Sequence, residues 1–150
     1  MSPDLAAFIA LGVAVVVATR DEDLRPEIAR GWGPVASSDG ATVRLCLGLR
    51  AGSTARSNLE ANGAIAATFS LPTTYRTVQL KGTARSVVEP TPDDISRADA
   101  HLATFVAEAA QVGVPPDGAR RLFGPTLLSV DFAVAEIYDQ TPGPTAGTRL

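Results

Sequence analysis

Residues Arg50 to Gly82, RAGSTARSNLEANGAIAATFSLPTTYRTVQLKG, join a hydroxyl-rich helix start to two strand-like runs. A loop over Arg50 to Gly52 leads into a short helix predicted for Thr54 to Asn62. A strand over Ala64 to Phe69, a turn at Leu71-Pro72 and a second strand from Arg76 to Leu80 follow. A helix presents its first amide groups without intrahelical partners. Headed by Ser53 and Thr54 and flanked by Arg50 and Arg56, this one is a candidate anion site. Read alone, Ser53 and Thr54 serve equally well as ordinary caps.

Upstream, Leu5 to Leu11 reads as a first helix and Val13 to Thr19 as a buried strand, because consecutive valines favour the extended backbone. The polar loop RDEDLRP then turns the chain into a strand over Glu27 to Trp32, with Pro26 at its start. The run GPVASSDG reads as a second loop, and Thr42 to Leu47 as a half-buried third strand. Downstream, Gly82 to Val88 continues the strand begun at Arg76, with Gly82 permitting a bulge. Thr91, Pro92 and the acidic pair Asp93-Asp94 open a helix that runs to about Val112. Ile95, Ala98, Leu102, Phe105, Val106 and Ala109 form its apolar stripe. A short helix near Arg120 to Phe123 and a last strand over Leu127 to Tyr138 complete a single domain over residues 1–140. Residues 141–150 are a tail rich in Pro, Gly and Thr, expected to lie as coil or on a partner.

The 13 basic and 16 acidic residues give a net charge of −3, without the basic excess that a nucleic-acid partner requires. A single cysteine, Cys46, rules out an internal disulfide and reads as a small buried hydrophobe. The apolar run Leu5 to Thr19 is short for a membrane span and has no positive flank, so a cytoplasmic protein with no membrane partner is expected. No metal site is expected: the acidic loop Asp21-Glu22-Asp23 reads as a solvated turn. The lone histidine, His101, falls beside the strict helix stripe and reads as a solvated or packed imidazole. No catalytic acid, base or nucleophile is assigned.

The order of elements from Leu11 to Val88 resembles the pyridoxamine 5′-phosphate oxidase-like FMN-binding split barrel: a Pro-containing second strand (Arg25-Pro26-Glu27-Ile28), a third strand, a helix and two paired strands. The resemblance implies an α+β fold built on a six-stranded antiparallel split barrel with flanking helices, paired as a homodimer. It also implies FMN as cofactor and oxidoreductase activity on an unidentified small-molecule substrate. In that family a Ser-Arg-Lys-type helix start holds the flavin phosphate; Ser53, Thr54 and Ala55 occupy those positions here, and Arg50 and Arg56 stand near enough to supply the missing charge. Arg30 and Trp32 end the strand that lines the flavin ring in the family, although a lone tryptophan also fills core volume. Arg76 and Thr77 match positions that reach the cofactor across the dimer. The chain ends in DQTPGPTAGTRL, without the aromatic and arginine-rich signature of the vitamin B6 oxidase itself, so it resembles the wider superfamily.

Two alternatives keep the same fold. One is a reductase using a deazaflavin cofactor, whose longer tail Arg44, Arg50 and Arg56 would accompany. The other is a non-catalytic barrel binding a small ligand or haem, for which His101 and Cys46 are the strong donors.

Overall fold

A computed structural model describes all 150 residues. The elements are α1 (Pro3–Ile9), β1 (Ala14–Arg20), β2 (Pro26–Ala36), β3 (Thr42–Leu49), α2 (Ala55–Asn62), β4 (Ala64–Ser70), β5 (Thr77–Val88), α3 (Pro92–Gln111), α4 (Pro116–Arg120) and β6 (Thr126–Asp139). The six strands close into an antiparallel barrel in the order β1-β2-β3-β6-β5-β4. Closure removes the exposed edges that an open sheet would present.

Alternation along β1 and β4 turns Val15, Val17, Ile65, Ala67 and Phe69 inward, where they meet Leu45, Leu47, Leu80, Leu128 and Phe132. Each of the larger side chains contributes about 1.5–3 kcal/mol by leaving water. Phe8 and Ile9 of α1 and Ala55 and Leu59 of α2 join this core. The register sets the two helices at opposite ends. Ala14 and Thr77 both lie opposite Ser70, beside α1, whereas Thr19 lies opposite Ile65 and its hydroxyl accepts from Asn58 Nδ2 of α2 at 3.2 Å.

A second, smaller core lies outside the barrel, where α3 covers β2 and β3. Trp32, Cys46, Ala98, Phe105, Val106 and Ala109 fill it. Gly33 makes this contact possible: its φ is +58°, and a Cβ there would sit 2.8 Å from the Ala98 nitrogen of α3.

Several expectations shift. The segment Gly33 to Ala36 is strand, not loop, and the β2–β3 register slips between Trp32 and Val35 so that the strand can bend beneath α3. The α3 stripe holds at Ala98, Phe105, Val106 and Ala109 and shifts at two places: Asp94 is buried in place of the expected Ile95, and His101 in place of the half-buried Leu102. Gly82 marks the expected bulge in β5, its face pressed against the Ala133 carbonyl. The tail folds back on β6: Leu150 N donates to Ile137 O at 2.9 Å, and Thr77 N donates to Thr141 Oγ1 at 3.0 Å. No helix is long and apolar enough to cross a membrane.

Candidate functional site

At the α2 end of the barrel, the start of β2 and the end of β3 diverge around a cleft of about 290 Å³. Its walls carry Arg30, Arg50 and Ser53 together with Glu27, Ile28, Gly48, Gly52 and Leu122. Arg30 and Gly48 are register partners, and the bare Gly48 lets the Gly124 backbone pack against β3, since a Cβ there would sit 2.9 Å from the Gly124 nitrogen. Gly52 takes φ +80° in the loop that carries Arg50 round to α2.

The electrostatics of this cleft follow from what its arginines lack. The chain's ion pairs engage Arg25, Arg44, Arg56, Arg97 and Arg120, but neither Arg30 nor Arg50. Arg30 and Arg50 therefore line one cleft without ion-pair partners, and Glu27 is the acidic residue among its lining residues. The Ser53 hydroxyl caps the helix start, accepting from Ala55 N at 3.3 Å. Thr54 occupies the N-cap position but makes no side-chain capping bond; its carbonyl accepts from Asn58 N at 2.9 Å.

The other residues singled out in the sequence lie elsewhere. Arg56 points to Glu89 and Glu60 and does not line the cleft. Arg76 lies over the Phe8 ring, 4.2 Å from its centroid, at the α1 end. The Thr77 hydroxyl bonds the Ser70 hydroxyl at 2.8 Å in the same region. Trp32 is buried under α3 and touches His101, Phe105 and Phe123 edgewise or at a tilt. Its indole nitrogen has no hydrogen-bond partner. Arg44, a candidate for a longer cofactor tail, is held by Asp94 and Asp131. His101 and Cys46 are both buried and outside the cleft, so neither presents an axial donor there.

One polar cluster was not legible in the sequence. Asp94 is buried at the start of α3; its Oδ1 accepts from Arg44 Nε at 2.7 Å and from Arg97, and its Oδ2 from Ser129 Oγ at 2.9 Å and from the Thr91 amide at 2.9 Å. The Arg44 hydrogen bonds hold its carboxyl far below the usual carboxylate range despite burial. Asp94 in turn pushes the Arg44 guanidinium further up. The Thr91-x-x-Asp94 spacing announces a reciprocal cap, but nothing local announces Arg44, fifty positions away. This cluster pins α3 to β3 and β6. Beside it, burial pushes the Cys46 thiol up, away from the reactive thiolate. Burial also pushes His101 down to about 4; the Leu11 and Val13 carbonyls favour its protonation, although neither ring nitrogen reaches a partner at hydrogen-bond geometry.

The barrel order and the helix between β3 and β4 match solved structures over nearly the whole chain. An F420 reductase is similar at 16% identity, with a TM-score of 0.59, covering 87% of this chain and 93% of that one. A candidate pyridoxamine 5′-phosphate oxidase of Lactobacillus delbrueckii gives 14% identity and a TM-score of 0.56, covering 92% and 93%. This chain has the pyridoxamine 5′-phosphate oxidase-like split-barrel fold. An FMN-binding protein of Syntrophomonas wolfei shares that split barrel at 11% identity and a TM-score of 0.54, covering 89% and 84%. No protein-family model matches the sequence, and no curated protein matches it significantly.

Proposed function

We propose that this split barrel binds FMN, with the phosphate end in the cleft of Arg30, Arg50 and Ser53, and acts as an oxidoreductase on a small molecule. The observation that carries the reading is the convergence of two arginines without acidic partners and a helix-start hydroxyl on one concave wall. This donor set suits a phosphate monoester dianion: guanidinium forks supply paired N–H groups and charge, and Gly52, with open space where a side chain would stand, lets the ligand approach the backbone. The volume lies near the lower end for small-ligand pockets, about 300 Å³, so the cleft takes the phosphate end of a nucleotide-sized cofactor. Bound flavin would supply the redox chemistry, and the chain supplies binding and orientation. No side chain of the cleft is assigned a proton-transfer role.

Similarity to an F420 reductase supports a second reading, a deazaflavin cofactor in the same cleft. The engagement of Arg44 and Arg56 in ion pairs favours the shorter FMN, because a longer anionic tail would find those cations already occupied. Titration of purified protein with FMN and with the deazaflavin, followed by their visible spectra, separates the readings. Tighter FMN binding supports the first, tighter deazaflavin binding the second, and binding of neither removes both.

The same proposal includes pairing of two copies. The outward positions Val16 and Ala18 of β1 and Ala66 and Thr68 of β4 are small, and Ile28 and Leu24 stand exposed at their margin. Light scattering is expected to give a dimer mass, and Ile28→Asp a monomer.

A further inference from the structure

The segment from Pro115 to Gly124 is attached to the rest of the fold in an unusual way. Its amides bond only carbonyls within the segment: Ala119 N to Pro115 O, Arg121 N to Asp117 O, Leu122 N to Ala119 O and Phe123 N to Arg120 O. The side chains of Arg120 and Arg121 also bond only Asp117. Gly113, with φ +86° and open space around it, precedes the segment, and Gly124 ends it. What seats it is apolar contact: Ala119 is fully buried beside α3, and Phe123 leans on Trp32 with ring centroids 5.1 Å apart.

The seat adjoins the candidate cleft. Leu122 forms part of the cleft wall, and the Gly124 backbone rests on Gly48, another wall residue. A methyl group on Gly48 would lie 2.9 Å from the Gly124 nitrogen and 3.1 Å from Trp32 Nε1, so the three groups meet at one point. Trp32 Nε1 is buried there without a partner, although indole N–H groups usually find an acceptor. Lifting the segment would remove Phe123 from the Trp32 ring, widen the cleft at Leu122 and open the indole N–H to an acceptor.

We propose that Pro115 to Gly124 is a flap that gates the Arg30–Arg50–Ser53 cleft, opening about Gly113 and Gly124 and uncovering Trp32 to whatever the cleft holds. A segment whose hydrogen bonds are all internal can move as a unit without breaking the barrel ladder. Its link to a cofactor rests on the FMN reading above; the motion itself does not.

Hydrogen exchange of the free wild-type protein tests the motion. The amides of Ala119 to Phe123 are expected to exchange several-fold faster than those of α3. Trp32 is the only tryptophan, so acrylamide quenching reports its cover directly. Phe123→Ala is expected to raise the quenching constant several-fold at unchanged far-ultraviolet circular dichroism, and to speed FMN association. Exchange as slow as in α3 overturns the flap, as does quenching unchanged in a folded Phe123→Ala. Fast exchange and raised quenching with no FMN binding in any variant would leave the flap standing and overturn the cofactor reading alone. Should Phe123→Ala fail to fold, the wild-type exchange rates decide.

Discussion

His101, on α3 and facing the Leu11 and Val13 backbone, has both ring nitrogens buried and unpartnered, so lowering the pH should act on stability through this one side chain first. Burial lowers its pKa from 6.5 to about 4 in the folded chain. The unfolded chain therefore takes up the proton first as pH falls. Stability attached to His101 is fully present above about pH 6.5 and is lost progressively toward pH 4. At about 1.4 kcal/mol per pH unit, the full span corresponds to about 3 kcal/mol, a large part of the 5–15 kcal/mol typical of a domain. Asp94 also makes the fold acid-labile, but its pKa is lowered from 3.8, so its contribution is lost only below about that pH. The two windows are separate. Urea unfolding followed by Trp32 emission at pH 7, 6, 5 and 4 should show the midpoint falling through this range, and His101→Leu should flatten it. An unchanged midpoint between pH 7 and 4.5 in the wild type, or the same slope in His101→Leu, would refute the claim that this imidazole is held neutral by burial.

Replacing Asp94 by Ala leaves Arg44 with Asp131 alone and should destabilise by about 3–5 kcal/mol in chemical denaturation, the range for a buried pair deprived of one partner. Gly33→Ala forces a Cβ against the α3 backbone at positive φ and should cost about 1–3 kcal/mol by the same assay, with α3 loosening first in hydrogen exchange. Arg56→Ala should leave FMN affinity within about twofold, since its guanidinium serves Glu89 and Glu60 at the surface and such pairs contribute little.

The sequence made the barrel readable because the information is local. Alternation in Val13 to Thr19 and Ala64 to Phe69 reports burial directly, and Thr91-Pro92 marks a helix start whatever the tertiary context. What escaped it depends on distant partners. At the start of α3, Asp94 is buried in place of Ile95 because it reaches Arg44, and a buried carboxylate paired across fifty residues leaves no periodic trace. The reading of Gly33 to Ala36 as a loop followed Gly and Pro as turn formers, whereas here Gly33 supplies a bulge under a helix. Arg50 and Arg56 are equivalent by spacing, yet helix geometry sends Arg56 to Glu60 one turn on and leaves Arg50 in the preceding loop beside Arg30.

The central claim is that Arg30 and Arg50 together hold the cofactor's phosphate. Calorimetric titration of FMN into the wild type, Arg30→Ala, Arg50→Ala and the double variant tests it directly. A charged hydrogen-bond partner is worth about 1.5–3 kcal/mol, so each single variant should weaken binding about 10- to 100-fold, with riboflavin binding the wild type no better than FMN binds the double variant. Equal FMN affinity in the wild type and the double variant would contradict the account.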